Sequence, residues 1–238
     1  MSGAGLLGGD PDGTEPGALD AIVLAGGRGS RLGGVDKAAV ELGGARLVDR
    51  AVAAARAAGA AHVVVVGPES ARAIGTTVVR EDPPFAGPLA ALAAALPVVE
   101  APRLLLLSCD LVDPALACRA LLEADAVGRG EWDGRILVDP AGRMQWLAGL
   151  YRTEALRSGI AGCAGGVRDA PLRRLFVGLD LLAVAAPESA TADIDDPEDL
   201  ARARAGIDAG AARRDEDAPA RGAAARGGNG AHGAPPSN

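Results

Sequence analysis

Residues 24–37 read Leu-Ala-Gly-Gly-Arg-Gly-Ser-Arg-Leu-Gly-Gly-Val-Asp-Lys. Several glycines in a row let backbone N–H groups come close to an anion. Arg28, Arg31 and Lys37 add positive charge to the same stretch. The chemistry implied is the binding of phosphate. Neither standard nucleotide loop is present, however. A dinucleotide fingerprint needs a glycine at position 32, where Leu32 stands and Gly33 comes one place late; a Walker A loop needs Lys-Ser/Thr where Val35 follows Gly34. Lys37 is the only lysine in the chain, against 23 arginines. A compact ammonium grips phosphate oxygens differently from a planar guanidinium, so its retention in an arginine-rich chain points to a specific task.

Carboxylates supply the second half of the chemistry. Asp110 directly follows the apolar run Leu104 to Leu107 with Ser108 and Cys109. There it is either a hard oxygen ligand for Mg²⁺, which takes one or two carboxylates plus substrate phosphates, or a helix cap. Asp82 precedes Pro83, a turn signal, and Gly87-Pro88 opens a helix whose first N–H groups suit a base or phosphate. In the acidic run 193–199, Asp196 before Pro197 reads as an N-cap, with Glu198 and Asp199 favouring the helix dipole. Asp193 and Asp195 remain as candidate metal ligands. The only histidines are His62, opening a buried strand, and His232, in a tail, which leaves little for histidine acid–base work. Glycines, one lysine, arginines and carboxylates instead suit a transfer whose nucleophile is already anionic, where positioning and charge neutralisation do the catalysis.

These residues need elements to hold them. Short apolar runs at 21–25, 62–66, 78–79, 104–107 and 179–185 read as buried strands. Helical spacing at 47–55 (closed by Gly59), 88–96 (stopped by Pro97), 114–122 and 197–205 alternates with them. Residues 136–138 and 145–151, around the turn-like Pro140-Ala141-Gly142, read as an antiparallel insertion or edge pair. Fully apolar strands alternating with helices predict a Rossmann-like, doubly wound, mostly parallel α/β sheet in a single domain, with ligands beyond the carboxyl ends of the strands. That domain spans 19–207. Residues 1–18 and 208–238 read as disordered extensions, the latter having no Val, Ile, Leu, Met or aromatic residue to bury. Trp146 fits either a stacking surface or the core, and Arg173 and Arg174 either bind phosphate or face solvent.

The formal net charge of −7 argues against a nucleic-acid binder, and 49% hydrophobic residues exclude wholesale disorder. Cys109, Cys118 and Cys163 form no CxxC and suit a reducing compartment. No apolar run spans a bilayer and the first residues do not read as a signal peptide, so the expectation is a cytoplasmic protein without membrane contact.

The stretch from Leu24 to Ala38 resembles the signature loop of the molybdenum cofactor guanylyltransferases, within the wider nucleotidyltransferase superfamily. Related sugar-phosphate enzymes carry Ala-Ala-Gly and Pro-Lys where this chain has Gly26-Gly27 and Asp36-Lys37. The resemblance extends over about 20–204. It implies Mg²⁺-dependent transfer of GMP from GTP to the phosphate of molybdopterin, with release of pyrophosphate. It also implies contact with molybdoenzymes or cofactor-delivery proteins. Leu24, Ala25, Gly26, Gly27, Arg28, Lys37, Asp82, Gly87 and Asp110 then bind the nucleotide. Lys37, Asp110 and Arg31 are catalytic, and Asp110, Asp193 and Asp195 hold the metal, although this place often carries Asn-x-Asn in the family. The alternatives are cytidylyl or guanylyl transfer to molybdopterin or another small phosphorylated metabolite, or a noncatalytic nucleotide-binding module.

Overall fold

A computed structural model of the protein describes residues 19–26, 36–127 and 132–216. Its centre is a seven-stranded sheet. In chain order the strands and helices are β1 (Leu19–Leu24), the short hairpin β2 (Glu41–Leu42) and β3 (Ala45–Arg46), α1 (Leu47–Ala57), β4 (His62–Val66) and β5 (Thr77–Val79). They continue with α2 (Pro88–Ala95), β6 (Arg103–Ser108), α3 (Pro114–Val127), β7 (Gly134–Val138), β8 (Met144–Arg152) and α4 (Thr153–Ala161). The last are β9 (Leu181–Ala185), α5 (Glu188–Thr191) and α6 (Pro197–Glu216).

The sheet order is β5-β4-β1-β6-β8-β7-β9, with β8 alone running against its neighbours. The fold class read from the sequence is therefore the observed one. One detail differs: β7 and β8 do pair antiparallel, but they lie inside the sheet, between β6 and β9. β9 pairs with β7 through Gly134 to Val138, and so takes the edge.

Alternation along β1 divides the core. Ala21, Val23 and Ala25 pack on one face with Val48 and Val52 of α1 and Leu121 of α3. Ile22 and Leu24 pack on the other with Leu89 and Leu92 of α2, Leu156 of α4 and Tyr151. A strand covered on both faces must be apolar at every position, and Leu104 to Leu107 of β6 are all fully buried. Each such leucine contributes about 1.5–3 kcal/mol by burial, which makes β6 a rigid base for the residues that follow it.

Helix α6 continues past Ile207, which packs beside Leu42, Leu47 and Ala203, into the segment read as a tail. Alanine and arginine, both good helix formers, carry it there. The extensions 1–18 and 217–238 lie outside the described residues. No helix among those described is long and apolar enough to cross a membrane.

Candidate active site

The carboxyl ends of the central strands are locked to one another by single backbone hydrogen bonds. Cys109 N–H donates to Leu24 O (3.0 Å), Ala25 N–H to Val66 O (2.8 Å) and Gly67 N–H to Val79 O (3.0 Å). A Cβ at Gly67 would stand 3.1 Å from the carbonyl carbon and oxygen of Ala25, so glycine is what allows β1 and β4 to end this close together. The Ala25 N–H is thereby engaged in the sheet. A buried N–H in a strand ladder has no second hydrogen to offer, so among the backbone groups of this nucleotide-binding stretch the Ala25 N–H is not one open to a phosphate. Gly26 is exposed just beyond. Gly27, Arg28 and Arg31 lie outside the described residues.

Lys37 opens a one-turn 3-10 helix that runs to Ala39. The turn is fixed from both ends of Asp36, whose Oδ1 accepts Ala38 N–H (3.1 Å) while Oδ2 accepts the Ser70 hydroxyl (2.8 Å). Ala38 is buried in the core beneath. The Lys37 ammonium then reaches across the sheet edge, donating to Asp110 Oδ2 at 3.0 Å and to Asp195 Oδ1. Burial works against the ammonium, but the charge of Asp110 and hydrogen bonds to Asp195 and Asp110 outweigh it, and the Lys37 pKa is raised.

Asp110 is no helix cap. That role falls to Asp113, whose Oδ1 accepts Leu116 N–H at 2.9 Å at the start of α3. Asp110 is left with both carboxylate oxygens turned to side chains, Oδ2 to Lys37 and Oδ1 to the hydroxyl of Ser108. Sequence reasoning missed Ser108. Its signal was its place, two residues before a strand-end aspartate.

Asp193 and Asp195 arrive on an extended segment zipped to the chain after β6. Val112 N–H donates to Ala192 O (2.9 Å), Leu111 bridges Asp193, and Ile194 N–H donates to Asp110 O (3.0 Å). Extended backbone sends alternate residues to opposite sides. Ile194 is accordingly buried with Leu42, Leu47 and Ala203, while the aspartates on either side of it belong to the site. The next residues anchor the segment as a reciprocal cap. Asp196 Oδ1 accepts Glu198 and Asp199 N–H, and Asp199 Oδ2 accepts Asp195 and Asp196 N–H. Asp193 is exposed as a residue, yet crowding around its carboxyl, and then the charges of Asp110 and Asp195, raise its pKa.

That surplus of negative charge is what a hard cation would relieve. No three His, Cys, Asp or Glu side chains among the described residues form a ready-made metal cage. The donor set of Asp110 with Asp193 or Asp195 nevertheless suits Mg²⁺, which is held by few carboxylates and completes its shell with water and phosphate oxygens.

The remaining candidates lie on other segments of the chain. Gly87 caps α2 with φ of 94°, a conformation glycine adopts without strain. Asp82 is exposed, whereas its neighbour Glu81 is buried and accepts Phe85 N–H at 2.8 Å. Glu81 thus shapes the turn into α2, leaving Asp82 on its outer side. Trp146 stacks on Phe176 with ring centroids 4.8 Å apart and packs against the apolar core, as its core reading had it. Arg173 and Arg174 lie on a surface turn.

A doubly wound sheet that gathers a lysine and carboxylates at the carboxyl ends of its strands defines a nucleotide-handling α/β domain. Residues 21–180 match the MobA-like NTP transferase domain, and the chain belongs to that family. It is 40% identical over 107 residues to the molybdenum cofactor guanylyltransferase of Pseudomonas syringae pv. syringae strain B728a, covering 43% of this chain and 53% of that protein. It is 38% identical over 117 residues to the molybdenum cofactor guanylyltransferase of Ralstonia nicotianae, covering 45% and 57%. The chain thus spans about half the length of the curated relatives it matches. Among solved structures, a nucleotidyl transferase from Methanothermobacter thermautotroptrophicus superposes with a TM-score of 0.63 at 21% identity, covering 81% of this chain and 99% of that one. At that identity the likeness is one of fold.

Proposed function

We propose that the protein is a nucleotidyltransferase that joins GMP from GTP to the terminal phosphate of molybdopterin in the cytoplasm. An oxygen of the acceptor phosphate attacks the α-phosphorus, and the bond to the bridging oxygen of the leaving pyrophosphate breaks. The observation that carries this reading is the cluster of Lys37, Asp110 and Asp195 at the carboxyl edge of a MobA-like domain. The names of the two guanylyltransferase relatives support guanine and molybdopterin as the substrates.

In this reading the Lys37 ammonium binds the triphosphate, aided by Arg28 and Arg31 of the glycine-rich loop. Asp110, with Asp193 or Asp195, holds Mg²⁺, which when bound supplies positive charge against the charge developing on the transferred phosphoryl group. Ser108 keeps the Asp110 carboxylate in one orientation. The acceptor phosphate is ionised at neutral pH and needs no general base, which agrees with a cluster that contains no histidine.

Transfer from α-labelled GTP and CTP, run in parallel with Mg²⁺ and purified molybdopterin, tests the proposal. GTP-selective incorporation with equimolar pyrophosphate release is expected. CTP-selective incorporation would keep the mechanism and change the product. Binding of GTP without transfer to any phosphorylated acceptor would leave a nucleotide-binding module.

A further inference from the structure

Lys37 occupies the position a cation would take. Its Nζ lies 3.0 Å from Asp110 Oδ2 and also donates to Asp195 Oδ1, so one ammonium bridges two carboxylates that face each other across the sheet edge. The Lys37 and Asp110 side chains are 18% and 14% exposed, so that contact is largely shielded from bulk water, whereas the Asp195 end of the bridge is open at 42%. The other Asp110 oxygen accepts the Ser108 hydroxyl. Both oxygens of Asp110 therefore already have a donor, and Asp195 is pinned from behind by its own N–H to Asp199 Oδ2 at 2.9 Å. A lysine has a single charge and a single position at a time. While that charge is shared between two carboxylates it offers little attraction to a triphosphate, and like charges would disfavour a metal ion beside it.

We propose that Lys37 is the resident cation of this carboxylate site, and that Asp195 is a positioning residue that holds it there until a metal–nucleotide pair arrives. On binding, the ammonium passes from the carboxylates to the phosphates, and the carboxylates it leaves receive the metal. The exchange rests on the nucleotidyl-transfer reading for its ligand. It makes a thermodynamic statement that reading alone does not. Metal alone meets a site already filled, nucleotide alone meets a lysine already engaged, and each therefore strengthens the binding of the other by the same factor. Asp195 sets the size of that factor, because it supplies the second contact that keeps Lys37 in place.

The first test uses Mn²⁺ alone, titrated into the full chain and followed by the electron paramagnetic resonance of the free ion. Lys37→Met removes the ammonium from between the carboxylates, and Mn²⁺ should bind about tenfold tighter or more than to the wild type, within the usual range of coupling between sites. Arg202→Met removes an exposed cation that is bonded to Asp199; it should change Mn²⁺ affinity less than about twofold, as expected of a screened surface charge. Lys37→Gln repeats the test with a polar side chain should the methionine variant fail to fold. Unchanged or weaker Mn²⁺ binding in the folded Lys37 variants overturns the proposal, as does an equal gain in Arg202→Met. The second test measures GTP binding in EDTA. Asp195→Asn should bind metal-free GTP several-fold tighter than the wild type, because Lys37 is released, and Mg²⁺ should then improve GTP binding less. Metal-free GTP binding that is unchanged or weaker in Asp195→Asn overturns the holding role. If the Lys37 variants gain Mn²⁺ affinity while no form of the protein binds GTP or CTP, the resident cation stands and nucleotidyl transfer falls.

Discussion

Asp110 and Ile194 are joined through their main chains, the carbonyl of the first accepting the N–H of the second at 3.0 Å. The strand end that carries Asp110 and the loop that carries Asp193 and Asp195 are thus one backbone unit. The site's side chains can be removed without removing what places them. Lys37→Ala and Asp110→Ala should each lower nucleotidyl transfer by at least about 100-fold, the order of loss when one preorganised charge contact is deleted. Their far-ultraviolet circular dichroism should stay close to wild type, so that the loss is not one of folding. Activity near the wild-type level in either variant would remove that residue from its role.

The proposed reaction has Ser108 acting through Asp110. Its hydroxyl donates to Oδ1 while Lys37 donates to Oδ2, so together they fix the plane of the carboxylate. Deleting one such hydrogen bond is worth about 1 kcal/mol, or roughly a fivefold to tenfold effect. Ser108→Ala should lower kcat by that amount and leave the KM for GTP nearly unchanged, and Ser108→Thr, which keeps the hydroxyl, should restore most of it. A change confined to KM would mean that Ser108 meets the nucleotide rather than the carboxylate.

Much of this arrangement is legible in the sequence. The buried strands announced themselves as unbroken apolar runs, and Asp110 and Lys37 stood out by place and by rarity. Other features depended on partners far away in the chain. Nothing local to Asp195 shows that it meets Lys37, 158 positions earlier, because the pairing is made by the zip between residues 110–112 and 192–194. The choice of Asp113 as the cap of α3, which freed Asp110, was likewise settled by backbone geometry. The inner position of β7 and β8 could not be read from their own sequence, since it was decided by where β9 pairs. Helix α4, Thr153–Ala161, escaped because its buried residues are few, chiefly Thr153 and Leu156.

Gly67 ties the stability of the fold to the shape of the site. It sits directly beyond β4, where an added Cβ would come within 3.1 Å of the Ala25 backbone and 3.4 Å of its Cβ. Backbone atoms held in a sheet cannot yield as the tip of a flexible side chain can, and overpacking of this kind costs about 1–3 kcal/mol. Gly67→Ala should therefore lower the denaturation midpoint by that equivalent with an unchanged m-value. It should also weaken nucleotide binding, because Ala25 and Gly26 are pushed from the edge. A variant as stable as the wild type would show that β1 and β4 can separate freely at this end.

Asp193 gives the site a pH signature. Crowding around its carboxyl, then the charges of Asp110 and Asp195, raise its pKa in the folded chain above the ordinary 3.8, with Lys37 acting in the opposite sense. The folded state then holds this proton more tightly than the unfolded state does. Its contribution to stability is full below about 3.8 and is lost as pH rises through the raised folded value. Asparagine carries no such penalty at any pH. Without added metal, Asp193→Asn should therefore gain stability over the wild type as pH climbs from about 4 to 7.5, by less than about 1 kcal/mol because the residue is exposed and solvent screens its charge. Melting temperatures of the two proteins at both ends of that range provide the check. A difference that is the same at pH 4 and pH 7.5 would mean that the Asp193 carboxylate is not held against its neighbours. Adding Mg²⁺ with GTP at pH 7.5 should reverse the order, since the cation then stabilises the charge that asparagine lacks.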